Sequence, residues 1–388
     1  MPRLVIIADD LTGAGDSAAH LASRADVVML FQADHDWPEA TVVALDTDSR
    51  HAAPTEAAER VAAAVRRAAS LGAAIFKKID STLRGNVAVE IRAAADALAE
   101  SGAMPLVVMA PAFPSVGRTT VRGVVHVNNQ PLTEAVHEGN VVELLATQGF
   151  RTELVGRPTS ADEVTARLKR ATERGMDAVV VDAESDEDLR LIVIGSLATD
   201  RPILLVGSGG LARPFDEVLE DTSGRAPAAL PDGPILFVVG SYCPQARSQR
   251  QALVEVGVAE AIWSEGISSG ELSRTIRAGL GQGAVVLSPD VNAPVDRDRT
   301  ALVADGLAAA AAAALDDVAT LVATGGETAR AILNRQGVDH LRIIGELEPG
   351  VVLAHLDGRN LSVVTKAGAF GDVGVLVRRL STHPHQEA

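Results

Sequence analysis

Residues 9–16 run Asp9-Asp10-Leu11-Thr12-Gly13-Ala14-Gly15-Asp16, so three carboxylates and two glycines fall in one short stretch. Charged groups beside apolar sequence need partners or a task. The glycines permit positive φ and close backbone approach, and a helix opening here offers N–H groups to an anion or a sugar hydroxyl. A second cluster, Lys77, Lys78, Asp80, Ser81, Thr82 and Arg84, suits a small carboxylate or phosphate, because a guanidinium holds such groups in a planar, bidentate way. Its plain alternative is a solvated strand end with an internal Asp80–Arg84 ion pair. Arg118, behind Pro111-Ala112-Phe113-Pro114, is a further fixed cation or else a surface charge. Three glycine turns, Gly240-Ser241, Thr324-Gly325-Gly326-Glu327-Thr328 and Lys366-Ala367-Gly368-Ala369-Phe370-Gly371, have N–H groups able to cradle a phosphate chain. Singly each is a common turn; together they make one glycine-lined nucleotide crevice.

These clusters follow apolar runs of strand length, and most of them precede helical patterns. Leu4 to Ala8 reads as a buried strand with a helix over 17–23, and 73–79 as a strand with a helix over 87–100. Short strands are expected at 27–31, 41–45, 106–110, 178–182 and 203–206, helices at 54–70, 160–174 and 185–198, and a hairpin over 121–127. Beyond residue 233 the pattern predicts strands at 235–239, 284–287, 320–323 and around Ile343, Val352 and Val363. Helices are expected there at 244–256, 297–315, 329–335 and 372–380. The alternation implies an α/β fold of two domains, each a mainly parallel sheet flanked by helices. In such sheets ligands bind at the carboxyl ends of strands, where all these clusters lie. The stretch EDTSGRAPAALPDG breaks the pattern with small residues and prolines, which divides the chain into a domain over 1–220, a linker over 221–233 and a domain over 234–388.

A chain of 388 residues exceeds what one core usually serves, and 47% apolar residues are enough to fill two. A net charge of −16 and a pI near 5.0 argue against nucleic acid or an anionic membrane as partner. Cys243 is the one cysteine, so no intramolecular disulfide forms and two-cysteine metal motifs are excluded; without a basic neighbour in sequence it reads as structural. The histidines show no H-E-x-x-H and no paired spacing, so no histidine-bound catalytic metal is expected, while a carboxylate ligand to magnesium stays open, and His383 and His385 fall in a polar tail. With neither an 18-residue apolar run nor a leader pattern, a cytoplasmic location is expected. No G-x-x-x-x-G-K-[ST] exists. Gly13 to Ala18 and Gly207 to Ala212 match G-x-G-x-x-A loosely. In the first match Asp9 to Thr12 stand between strand and glycine, which would set carboxylates beside a dinucleotide's pyrophosphate.

In chain order, IADDLTGAGDSA, KKIDSTLRGN, PAFPSVGRTTVRGVVHV, GSGGLA, TGGETA and KAGAFG resemble the four-carbon acid-sugar kinases, from residue 6 to residue 372. The resemblance implies ATP-dependent phosphorylation of a tetronate, such as D-threonate, D-erythronate or 3-oxo-tetronate, at its terminal hydroxyl. It also implies an N-terminal domain for the acid sugar, a C-terminal domain for ATP, and an active site in the interdomain cleft. The family's DD-x-TG pattern falls on Asp9, Asp10, Thr12 and Gly13. Its K-x-DST-x-RGN pattern falls on Lys78, Asp80, Ser81, Thr82, Arg84, Gly85 and Asn86. The ATP contacts fall on Ser241, on Gly325, Gly326, Glu327 and Thr328, and on Gly368. Glu327 stands where an aspartate is expected, Ala367 where serine is frequent, and Tyr242-Cys243 replaces smaller residues. These departures keep a backbone cradle and leave the side-chain role of position 327 open.

On that resemblance Arg84, helped by Lys78, holds the sugar carboxylate, and Arg118 is a further substrate contact. Asp10 accepts the proton of the attacking hydroxyl or orients it. Mg2+ arrives with ATP, coordinated mainly by phosphate oxygens and water. The partners are small molecules, and a homo-oligomer stays open. Two other classes compete: a nicotinamide-dependent oxidoreductase of a small hydroxy acid, and a non-catalytic sensor of small acids, which leaves the second crevice without a task.

Overall fold

Apolar runs of four or five residues make most of the strands, and helices covering both faces bury them along their length. The computed structural model describes residues 1–219, 228–290 and 300–380. The chain divides into two units, Met1–Gly224 and Arg225–Ala388. Of the expected linker, 221–227 lies outside the described residues, and 228–233 carries neither helix nor strand. No helix among the described residues is long and apolar enough to cross a membrane.

The first unit comprises β1 (Leu4–Ala8), α1 (Leu11–Ala19), β2 (Val27–Leu30), β3 (Val42–Asp46), α2 (Pro54–Ser70), β4 (Ala74–Lys78), α3 (Val87–Ala99), β5 (Leu106–Ala110), β6 (Arg118–Val121), β7 (Val124–Val127), β8 (Gln130–Pro131), α4 (Val141–Ala146), β9 (Thr152–Val155), α5 (Ala161–Glu173), β10 (Ala178–Val181), α6 (Asp186–Leu197), β11 (Ile203–Gly207), α7 (Gly209–Ala212) and α8 (Phe215–Val218). Its main sheet runs β2-β3-β1-β4-β11-β5-β10-β9, parallel throughout. Proline at the first position starts α2, and Ala57, Val61, Ala64, Val65 and Ala68 form its buried stripe. That stripe shares a core with Ile91, Ala94 and Ala95 of α3. Register then does the positioning. Asp46, Ala8, Lys78, Gly207 and Ala110 stand in one row across β3, β1, β4, β11 and β5. The segments that follow them therefore leave the sheet along the same edge. Because the chain goes from β1 to one side and from β4 to the other, this edge is a topological switch point.

The second unit comprises β12 (Ile235–Val239), α9 (Pro244–Glu255), β13 (Ala259–Trp263), α10 (Ser269–Leu280), β14 (Ala284–Pro289), α11 (Thr300–Ala312), β15 (Thr320–Thr324), α12 (Gly326–Arg335), β16 (His340–Glu348), β17 (Val351–His355) and β18 (Ser362–Lys366). Its strands run β13-β14-β12-β15-β18-β17-β16. They are parallel up to β18, while β17 and β16 join antiparallel. Val239, Thr324 and Lys366 share one row, so the three glycine turns leave neighbouring strands side by side.

Several expectations shift. Helix α1 begins at Leu11, not 17, because Asp10 caps it; Gly13 and Gly15 lie inside the helix and take no positive φ. Glycine is needed at 13 for space, since a Cβ there would collide with the Asp10 carboxylate. Helix α12 begins at Gly326, three residues before the expected 329. The helix expected over 372–380 reduces to a 3-10 turn at Val377–Arg379, with Gly371 at φ +77° and Gly374 weakening any longer helix. Of the helix expected over 297–315, residues 297–299 lie outside the described residues, as does the tail with His383 and His385.

Candidate active site

Asp10 is the N-cap of α1. Its Oδ1 accepts from the Gly13 amide at 3.1 Å and its Oδ2 from the Thr12 hydroxyl at 2.6 Å. This capping carboxylate occupies the helix start that a dinucleotide's pyrophosphate would need, which speaks physically against the nicotinamide alternative.

The residue that ties this edge together is one the sequence reading passed over. Arg50, four residues beyond β3, donates from Nε and Nη2 to Asp9 at 2.8 and 2.9 Å and from Nη2 to Asp10 at 2.7 Å; it lies 3.8 Å from Asp80. The backbone amides of Ser49 and Arg50 both donate to the Asp9 carbonyl at 3.1 Å. From the other side Asn86 donates to the carbonyls of Ser49 and Ala52, and Gly85, at φ +89°, packs directly against Arg50. Gly85 and Asn86 thus seat Arg50. The readable signal was Asp46 to Arg50 itself, a third polar turn at a strand end, but one without glycine.

Burial alone would raise the pKa of Asp9, yet the Arg50 guanidinium, with Lys77 and Lys78 behind it, holds it below the usual carboxylate range. Asp80 is likewise pulled up by burial and more strongly down by the hydrogen bond from Arg84 and the charge of Arg50. Arg50 is pulled down by burial and overridden upward by Asp9 and Asp10.

Lys77 and Lys78, consecutive on β4, face opposite sides of the sheet. Lys77 is fully buried in an ion pair with Glu90 at 2.8 Å, and Ser49 Oγ donates to the same carboxylate at 2.7 Å, so Lys77 belongs to the scaffold. Lys78 is buried too, but makes no side-chain hydrogen bond to any described residue; its Nζ lies 2.9 Å from where a Cβ on Gly13 would sit. Arg84 forms the internal pair with Asp80, at 2.6 and 3.1 Å, and its side chain stays 68% exposed. Thr82 donates to Asp80 through amide and hydroxyl, while Ser81 is half-buried. Arg118 gives its guanidinium to the Val116 carbonyl and keeps a buried Nε without an acceptor among the described residues. Its backbone pairs with that of Phe113, whose ring borders Gly209 opposite Asp16, which brings the β5 and β11 turns toward α1.

In the second unit the three turns touch. A Cβ on Gly240 would collide with the Thr328 hydroxyl, and one on Gly368 with the Ser241 hydroxyl. Gly325 donates its amide to the Lys366 carbonyl at 2.8 Å and takes φ +102°, open to glycine, at the start of α12. No side chain caps α12. Glu327 is exposed. A cradle of small residues and helix-start amides fits a polyphosphate. Cys243, read as structural, caps α9 through its Sγ beside Gly368. Among the described residues no group of three or more His, Cys, Asp or Glu is placed to hold a metal ion.

A family model described as a sugar-binding N-terminal domain matches residues 4–215, and one described as a nucleotide-binding C-terminal domain matches residues 236–376. The chain is 37% identical to a D-threonate kinase of Cupriavidus necator, over 96% of both chains. It is 31% identical to a D-erythronate kinase of Heliobacterium modesticaldum, over 96% of this chain and 95% of that one. A crystal structure of a Haemophilus influenzae protein, 19% identical, shares the fold with a TM-score of 0.76, over 97% of this chain and 99% of that chain. The charged edge of the first unit and the glycine cradle of the second thus coincide with a sugar-binding and a nucleotide-binding module, and the chain belongs to the four-carbon acid-sugar kinase family, as an enzyme that phosphorylates an alcohol.

Proposed function

We propose that this kinase transfers the γ-phosphoryl group of ATP to the terminal hydroxyl of a four-carbon sugar acid in the cytoplasm, with D-threonate the first candidate and D-erythronate or 3-oxo-tetronate the others. The observation that carries the acid's place is Lys78: beside the Asp10–Gly13 turn, a buried lysine whose ammonium acts on Asp9 only through its charge and hydrogen-bonds no described residue keeps its N–H groups for an anion. Arg84, exposed at the same strand end, is positioned to turn from Asp80 to the sugar carboxylate, and Ser81, Thr12 and Arg118 are proposed to meet its hydroxyls.

Of the three clustered carboxylates, Asp10 has a side chain 21% exposed against 3% for Asp9 and 8% for Asp80. Asp10 is therefore the one that reaches substrate and the proposed proton acceptor, while Asp9 is the main anchor of Arg50 and Asp80 holds Thr82 and Arg84. Phosphoryl transfer demands positioning and charge neutralisation above all. Ser241, Gly325, Gly326, Thr328 and Gly368 are proposed to cradle the phosphates, with magnesium bound to phosphate oxygens and water. Glu327 is proposed to meet the phosphates through its backbone amide. The test is a coupled ADP-release assay over four-carbon sugar acids with ATP and magnesium. Turnover on one tetronate is the expected result; nucleotide binding with no turnover on any sugar acid would leave the sensor reading in its place.

A further inference from the structure

The turn after β18 is held from within by two fully buried side chains. Lys366 Nζ donates to the carbonyls of Ala367, Gly368 and Phe370 at 2.7, 3.2 and 2.9 Å. Gln249 Nε2, from α9, donates to Phe370, Gly371 and Asp372 at 2.9, 3.1 and 2.9 Å, and Gln245 Nε2 reaches Gly371 at 2.6 Å. With the carbonyls drawn inward, the amides of Gly368 and Ala369 have no acceptor among the described residues. An ammonium has three N–H groups for three carbonyls; a neutral amine has two and turns a lone pair toward the third.

We propose that Lys366 is a positioning residue for the nucleotide: as an ammonium it keeps the 367–372 turn in its phosphate-binding shape, and nucleotide binding draws in the proton that completes it. The proposal rests on the nucleotide reading of the second unit. Burial without a carboxylate partner pushes Lys366 down to about 8, with only Cys243 acting in the opposite sense. The other charged groups around it are engaged or remote: Asp372 is held by Arg378, Glu348 in the same sheet row by Arg378 and Arg379, Glu346 accepts from the Gly350 amide, and Glu327 is exposed. A polyanion nearby stabilises the ammonium, so ATP binding and proton binding favour each other.

The test is calorimetric titration of ATP at pH 7.5 and 8.5, each in two buffers of different ionisation enthalpy. The wild type should take up about half a proton per ATP at pH 8.5 and much less at pH 7.5, and its KM for ATP should rise roughly tenfold between pH 7.5 and 9.5. Lys366→Met should show no uptake and, already at pH 7.5, the weak ATP binding that the wild type reaches at pH 9.5. Should Lys366→Met not fold, Cys243→Ala replaces it as the comparison: uptake that persists supports Lys366, and uptake that vanishes assigns the proton to the thiol and overturns the proposal. Binding without proton uptake overturns the role of Lys366 alone. No ATP binding at pH 7.5, where Lys366 is charged, overturns the nucleotide reading with it.

Discussion

The two units present the same device, a switch point at the carboxyl ends of parallel strands, and fill it with opposite chemistry. In the first, Asp9, Asp10, Asp80, Arg50, Lys78 and Arg84 crowd one edge. In the second, three turns of small residues offer backbone amides, and the cation beneath them, Lys366, bonds to carbonyls. A sugar acid carries hydroxyls and one charge, which side chains distinguish by direction; a polyphosphate carries dense charge, which backbone N–H groups match without a shape of their own. Topology supplies the place and side chains supply the selectivity.

The comparison breaks most visibly at Asp10. Asp10→Asn keeps the helix cap but removes the proposed proton acceptor, and should lower kcat roughly 10²-fold to 10⁴-fold while ATP binding by calorimetry stays as in the wild type. Arg50→Met strikes the framework instead. Asp9 and Asp10 then lose the guanidinium they share, a loss of about 3–5 kcal/mol in denaturant unfolding. The sign of the pH dependence should invert as well. In the wild type Asp9 and Asp80 titrate below their unfolded value near 3.8, so their contribution is present above that pH and fades as pH falls further. Without Arg50, burial raises Asp9 while Asp80 keeps Arg84, and the variant should gain stability on acidification from pH 7 toward 4 through Asp9. A smaller effect sharpens the second unit: Cys243, beside Gly368, should react with a thiol reagent several-fold more slowly when ATP is present, and at an unchanged rate with sugar acid alone.

Much of this was legible because strand, polar turn and helix follow one another so regularly. Helix α2 and strands β5 and β12 fall where apolar periodicity puts them. Strands β9 and β13 were not anticipated, since each is a short run interrupted by a glutamate, Glu153 or Glu260, and stays partly exposed. Nor does composition reveal that β17 and β16 run antiparallel. For the site, the motif residues were visible, but Arg50 was not: its neighbours are set by the order β3-β1-β4, which pairing decides and local sequence does not. Arg84 illustrates the converse. Read as a clamp, it lies bonded to Asp80, four residues away, because a carboxylate at that spacing competes for it before any ligand arrives.

The division of labour is tested most directly by titrating D-threonate and ATP separately into the wild type, Lys78→Met and Gly368→Ala. Removing the Lys78 ammonium should weaken the sugar acid about tenfold to a hundredfold and leave ATP unchanged. A Cβ at 368, forced against Ser241, should weaken ATP and leave the acid unchanged. Loss of ATP binding in Lys78→Met, with the acid still bound at wild-type strength, would contradict the account.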